Sequence, residues 1–173
     1  MESFLTKLKD ISTFIFDVDG VLTDGSVYVM ENGEQARQFN IKDGYAVQLA
    51  VKCGYNVCAI SGSRSKIAIH RLNSLGVKDV YVGAHTKTDI FRAYLEEKHL
   101  TPASVLFMGD DIPDLEVLKL AGLAVCPADA AEEVKAICQY ISPNNGGSGA
   151  VRDIIEKVLK IQGKWMSEQA YSW

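Results

Sequence analysis

Asp17-Val18-Asp19-Gly20 directly follows the apolar run Phe14-Ile15-Phe16, so two carboxylates leave the end of a buried strand together. About ninety residues later, Gly109-Asp110-Asp111-Ile112-Pro113-Asp114 repeats the arrangement behind a second apolar run, Val105-Leu106-Phe107-Met108. Side chains two apart on an extended chain point the same way, which lets Asp17 and Asp19 converge at a strand end. Like charges held that close do not both stay ionised cheaply without a cation between them. Oxygen-only ligation of this kind suits Mg²⁺, which takes one or two carboxylates and keeps several waters. Asp110 completes the shell if its strand lies beside the first. Taken alone, Asp-x-Asp-Gly reads as a turn or a helix cap; the second cluster makes the pair a candidate metal site.

Two further positions suit an anion. Ile60-Ser61-Gly62-Ser63 follows a third apolar run and offers a hydroxyl and backbone N–H groups at a predicted helix start. Orphan donors and the helix dipole attract phosphate there, although Ser61 and Ser63 fit equally well as plain N-caps. Lys87, in His85-Thr86-Lys87-Thr88-Asp89, stands at another strand-to-helix junction. Its plain reading is a solvated lysine; its functional reading is a cation that holds carboxylate and phosphate together. His70, His85 and His99 have no metal-binding spacing.

The elements that must position these groups follow from periodicity. Short apolar runs alternate with amphipathic stretches, the pattern of successive βα units and a mainly parallel sheet. The predicted strands are 13–17, 56–61, 79–82, 104–109 and 123–125. The predicted helices are 43–53, 64–75, 87–98, 112–120, 130–136 and 150–161. Both acidic clusters then fall beyond the carboxyl ends of strands, where doubly wound sheets bind ligands. Gly54, Gly76 and Gly122 stand where helices stop and suit left-handed backbone. Segments 26–30 and 34–40 flank Glu31-Asn32-Gly33, a hairpin signal. This hairpin, spanning about 24–40, is read as a flap bordering the cleft, with an edge extension of the sheet as the alternative. Segment 144–149, Asn-Asn-Gly-Gly-Ser-Gly, is expected to be a mobile loop. The tail 162–173 has no clear periodicity and is expected to be flexible or to pack on a neighbouring chain.

With 173 residues, 47% of them hydrophobic and 23% charged, the chain has the composition of one ordinary globular domain. The net charge of −4, with no basic stripe, argues against nucleic-acid and membrane-surface partners. Five of the 22 acidic residues lie in the two clusters, so a bound cation answers part of that balance. Cys53, Cys58, Cys126 and Cys138 lack CxxC or zinc spacing and read as reduced thiols, which fits the cytoplasm. No leader or membrane-span pattern is apparent, and a soluble protein is expected.

The order of these motifs resembles the haloacid dehalogenase superfamily of phosphotransferases: Asp17-Val18-Asp19-Gly20-Val21-Leu22-Thr23, Ser61, Lys87, then Gly109-Asp110-Asp111-x-x-Asp114. The early hairpin, Leu75-Gly76-Val77, Tyr81-Val82-Gly83 and Gly146-Gly147-Ser148-Gly149-Ala150-Val151-Arg152-Asp153 resemble more narrowly the capless 3-deoxy-D-manno-octulosonate 8-phosphate (KDO 8-phosphate) phosphatases. The likeness spans roughly residues 12–164. It implies a Rossmann-like three-layer α/β sandwich with a small hairpin flap and no large cap domain. It also implies Mg²⁺ as cofactor, a sugar-acid phosphate as substrate within KDO and lipopolysaccharide biosynthesis, and a homotetramer in which one protomer's flap completes a neighbour's site.

Carried onto this chain, the resemblance makes Asp17 the nucleophile and Asp19 the general acid and base. Asp17, the Asp19 backbone carbonyl and Asp110 become the metal ligands. Ser61 and the Gly62 amide grip the phosphoryl group, with Thr23 among the phosphate- or substrate-binding residues, and Lys87 neutralises charge. Asp111 or Asp114 orders metal-bound water or positions Lys87. Arg64 and Arg71, on the helix after Ser61, suit a sugar-acid carboxylate, or else are ordinary surface charge. The segment 146–152 is expected to fold over the site. Many relatives carry arginine where this chain has Ser63, which leaves open a nine-carbon ketodeoxy acid phosphate as the alternative substrate. A noncatalytic regulatory or assembly domain, and a signalling receiver domain, are the remaining readings. The receiver is disfavoured because the candidate nucleophile sits on the first strand.

Overall fold

A computed structural model describes residues 4–173 of the chain. Its strands are β1 (Thr13–Phe16), β2 (Tyr28–Val29), β3 (Gln35–Ala36), β4 (Asn56–Ile60), β5 (Asp79–Tyr81), β6 (Val105–Met108), β7 (Leu123–Cys126) and β8 (Tyr140–Ile141). The helices are α1 (Phe4–Asp10), α2 (Ile41–Lys52), α3 (Ile67–Ser74), α4 (Lys87–Glu97), α5 (Leu115–Leu120), α6 (Glu132–Lys135) and α7 (Ala150–Ile161). Six strands form a parallel sheet in the order β5-β4-β1-β6-β7-β8, and β2 and β3 form a separate antiparallel hairpin. This is the Rossmann-like α/β sandwich expected, with no large cap domain among the described residues.

The apolar runs read as continuous because both faces of the sheet are covered. Phe14, Phe16, Val57, Ala59, Leu106 and Met108 face α1, α2 and α7. The intervening Ile15, Cys58, Ile60 and Phe107 face Phe91 and Tyr94 of α4 and Val117 and Leu118 of α5. β1 lies between β4 and β6, so the chain reverses its direction of travel across the sheet at the β1–β6 seam. Phe16 pairs with Met108, and the Asp17 N–H donates to the Met108 carbonyl at 2.9 Å. The two acidic loops therefore leave the sheet side by side at its topological switch point.

The hairpin is shorter than predicted. The Met30 N–H donates to the Glu34 carbonyl, the Gly33 N–H to the Met30 carbonyl, and Gly33 has φ +83°. That geometry is a three-residue turn over Glu31-Asn32-Gly33, as the sequence suggests, closed by a left-handed glycine. Its return leg reaches the first acidic loop through an antiparallel bridge between Thr23 and Phe39.

Other elements also differ from expectation. α1 and β8 were not predicted; seven and two residues are too few to show a period. The helix expected at 112–120 begins as a 3-10 turn, Ile112–Asp114, in which Pro113 occupies the first turn and Asp111 caps it. Gly54 and Gly76 have φ +84° and +87°, as expected of helix stops. Gly122 is different: it is not left-handed, and a Cβ there would lie 2.5 Å from the Pro102 carbonyl, so close packing explains it.

The glycine-rich segment 144–149 is wedged against the first acidic loop. The Gly147 N–H donates to the Val21 carbonyl, the Gly146 N–H to Asp129, and a Cβ on Gly146 would lie 1.8 Å from the Gly20 carbonyl. Its glycines pack against the backbone of Gly20, Thr23 and Asp24. Buried Asp43 accepts from the Gly149 and Arg152 N–H groups, capping α7 from α2. Residues 162–173 pack back on their own chain: Trp165 meets Tyr45 edge-on, Trp173 does likewise, and Arg152 lies 4.4 Å from the centre of the Trp165 ring. No helix among the described residues is long and apolar enough to cross a membrane.

Candidate active site

At the β1–β6 seam the carboxylates of Asp17, Asp110 and Asp114 bring one oxygen each within 4.8 Å of one another. Lys87 opens α4, and its Nζ donates to Asp17 Oδ1 at 2.7 Å and to Asp114 Oδ1 at 2.6 Å, with every partner shielded from solvent. Asp114 Oδ2 accepts from the Asp110 N–H at 3.1 Å. Asp114 is therefore committed to Lys87 and to the backbone, while Asp110 Oδ1 is buried without any hydrogen-bond partner. Two glycines permit this crowding. A Cβ on Gly20, whose φ is +90°, would lie 2.1 Å from Asp110 Oδ2, and one on Gly109 would lie 2.5 Å from the Asp114 Cβ.

The electrostatics follow from this geometry. Burial, then the neighbouring Asp114 charge, pushes the Asp17 carboxyl up to about 6 despite Lys87. Burial and the charges of Asp17 and Asp114 push Asp110 up to about 8. Burial works against the Lys87 ammonium, but Asp17 and Asp114 more than offset it and hold its proton tighter than usual. An orphaned buried carboxylate oxygen beside two carboxyls reluctant to ionise is a setting that a hard dication relieves. The residues present thus fit Mg²⁺.

Asp17, Asp19, Ser61, Gly62, Ser63, Lys87, Asp110, Asp111 and Asp114 all line one cleft of about 340 Å³. A larger open groove of about 790 Å³ between the start of α2 and α7 lies elsewhere, and the acids Asp153 and Glu156 in it are already paired with Lys157, Arg152 and Lys160. Asp19 does not join the three clustered carboxylates. Its Oδ1 accepts from Arg37 Nε at 2.6 Å. Asp111 caps the following 3-10 turn through the Ile112 N–H and stays exposed.

Ser61 follows β4, but no helix starts beside it. Ser61 Oγ accepts from the Ser63 N–H, Ser63 Oγ from the Ser65 N–H, and Ser65 Oγ from the Ile67 N–H, so α3 begins only at Ile67. Alternating serines compete for the backbone donors that a helix start would leave free. The segment at Ser61 is thus a loop and not a helix end.

Three predicted residues lie away from the cleft lining. The Thr23 hydroxyl is fully buried and accepts from the Gly20 and Gly25 N–H groups, which shapes the loop instead of reaching a ligand. Arg71 packs over Gly44 of α2, where a Cβ would meet its Nη2 at 2.5 Å. Arg64 is exposed, with its Nη2 3.3 Å from His85 Nε2. Arg37 was missed. It follows β3 and its Nη2 also donates to Ser63 Oγ at 3.2 Å. The available signal was its register, two residues from both Gln35 and Phe39 on a hairpin that starts at the first acidic loop.

Known proteins resemble this chain in sequence and fold. The family model described as haloacid dehalogenase-like hydrolase matches residues 65–155. A 3-deoxy-D-manno-octulosonate 8-phosphate phosphatase of Salmonella typhi is 37% identical over 160 residues, covering 92% of this chain and 85% of that protein. The crystal structure of the Yersinia pestis phosphatase of the same name has a TM-score of 0.90 at 33% identity, covering 92% of this chain and 86% of that one. The Moraxella catarrhalis phosphatase, solved in complex with magnesium ion, phosphate ion and KDO, has a TM-score of 0.89 at 30% identity, covering 92% and 91%. This chain belongs to the haloacid dehalogenase-like hydrolases and, within them, to the 3-deoxy-D-manno-octulosonate 8-phosphate phosphatase family.

Proposed function

We propose that this protein is a Mg²⁺-dependent phosphatase that hydrolyses 3-deoxy-D-manno-octulosonate 8-phosphate to KDO and phosphate. The observation that carries the reading is the meeting of Asp17, Asp110 and Lys87 in one cleft, in a chain whose solved relative binds magnesium, phosphate and KDO. In the first step an Asp17 carboxylate oxygen attacks phosphorus. The bond from phosphorus to the sugar oxygen breaks as Asp19 delivers a proton to that oxygen. In the second step Asp19 takes a proton from water, whose oxygen attacks the aspartyl phosphate, releasing phosphate and restoring Asp17. One hard displacement becomes two easier ones.

Lys87 holds the nucleophile in place and neutralises charge as it transfers, and Asp114 holds Lys87. The Ser61 hydroxyl and Gly62 N–H are offered to the phosphoryl oxygens. Asp17, Asp110 and the Asp19 backbone carbonyl would hold Mg²⁺, which would supply the positive charge that phosphoryl transfer demands. The test is a phosphate-release screen with and without Mg²⁺ over eight- and nine-carbon ketodeoxy acid phosphates. The eight-carbon substrate is expected to lead; a nine-carbon lead would transfer the assignment to that acid, and no release from any would overturn it.

The homotetramer belongs to the same proposal. Val27, Tyr28, Val29 and Met30 are all exposed on the hairpin, a run of apolar surface that a second copy would cover. Tyr28→Lys with Val29→Lys is expected to shift sedimentation from tetramer toward smaller species and to raise KM for the sugar-acid phosphate. An unchanged sedimentation profile would remove the hairpin from the interface.

A further inference from the structure

We propose that Arg37 is a positioning residue for phosphoryl transfer, holding the Asp19 carboxylate at the cleft and tying the hairpin to the two loops that form it. The proposal rests on the phosphatase reading above. Arg37 Nε donates to Asp19 Oδ1 at 2.6 Å, Nη2 to Ser63 Oγ at 3.2 Å and Nη1 to Gln35 Oε1 at 3.3 Å. Its side chain is only 6% exposed, whereas that of Asp19 is 31% exposed. The guanidinium is thus buried behind the carboxylate it grips, and the carboxylate is left facing outward. A charge-assisted bond of that length is among the stronger ones a protein makes.

The contacts join three separate pieces of chain. Asp19 lies on the loop after β1, Ser63 on the loop after β4, and Arg37 on the hairpin's return leg. The clamp takes Oδ1 and leaves Oδ2 outside it. A general acid must stay within hydrogen-bond reach of the oxygen it protonates. An unclamped, part-exposed carboxylate would share its time among several rotamers, and a misplacement of about 1 Å can cost about 100-fold in rate. A planar guanidinium can hold a carboxylate and a hydroxyl at once, while a lysine ammonium is a single point of charge. The hairpin thus brings a guanidinium to Ser63, on the loop after β4.

Positioning a proton donor has a signature that mere structural support lacks. A sugar alkoxide leaves poorly without a proton, whereas p-nitrophenolate leaves without one. The ratio kcat/KM reports events only through departure of the first product, so the later hydrolysis of the aspartyl phosphate does not mask the difference. For Arg37→Met, kcat/KM for 3-deoxy-D-manno-octulosonate 8-phosphate is expected to fall about 10–100-fold, within the range general acids contribute. For p-nitrophenyl phosphate the loss is expected to be at least about tenfold smaller, and Arg37→Lys is expected to recover part of the loss on the sugar substrate.

Equal losses on both substrates, or an Arg37→Lys enzyme no better than Arg37→Met, would overturn the proposal. Should Arg37→Met not fold by circular dichroism, Arg37→Gln carries the same comparison. A wild-type enzyme inert on both substrates would overturn the phosphatase reading and this proposal with it, whereas a uniform loss in the variants would overturn the clamp alone.

Discussion

Asp17 shares a buried corner with Asp110, Asp114 and Lys87, three carboxyls against one ammonium. Burial and mutual repulsion make protonation of Asp17 and Asp110 easier than in water, so a nucleophilic Asp17 depends on positive charge brought to it. Asp17→Asn keeps the side chain's shape and an oxygen for Lys87 but removes the carboxylate proposed to attack phosphorus. Phosphate release is therefore expected to drop by at least about 1,000-fold, while thermal unfolding of the metal-free protein shifts upward because one repelling charge is gone. Turnover near the wild-type rate would remove Asp17 from the nucleophile's role.

At the scale of elements, the site is supported by segments that carry no chemistry. The loop 144–149 does not line the cleft, yet its glycines pack against Gly20 and Thr23, in the turn that lets Asp110 approach Asp17. Asp43 fastens that loop to α2 by capping α7. Gly146→Ala would thrust a methyl group into the Gly20 carbonyl, and such overpacking costs about 1–3 kcal/mol. The expected outcome is a lower denaturant midpoint together with reduced phosphate release, because the displaced turn carries the acidic loop with it. A midpoint unchanged from wild type would mean that the loop yields freely. The hairpin reaches the cleft through Arg37.

At the scale of the whole molecule, the acidic seam couples stability to pH and to metal. Asp17 and Asp110 bind protons more tightly in the fold than in the unfolded chain, at about 6 and about 8 against an ordinary 3.8. Their protonated forms favour the fold, so that contribution is fully present below the unfolded value and is lost as pH rises through the two folded values. The Tm of the metal-free protein is expected to fall between about pH 5 and about pH 9 by this contribution. Excess Mg²⁺ is expected to raise Tm more at about pH 8 than at about pH 5, since binding the cation requires the ionised carboxylates. Equal Mg²⁺ shifts at both pH values in a calorimetric scan would count against a carboxylate cation site.

The sequence by itself determined the parallel sheet, the placing of both acidic loops at strand ends and the pairing of Asp17 with Asp110. Those follow from apolar runs buried on two faces and from acids that need a cation. It also marked Lys87 as a candidate, and the structure shows it buried between two of those acids. Only the tertiary structure decided where Asp19 turns, because its partner Arg37 lies 18 residues away on a hairpin whose register no local pattern sets. The same holds for the negatives. Thr23 and Arg71 have the right chemistry but spend it on backbone N–H groups and on packing over Gly44. The glycine-rich loop looks free in composition and is held by the carbonyls it meets. Composition and period are local properties of the chain, whereas which donors remain unpaired, and which glycine must admit another backbone, are settled only when distant segments touch.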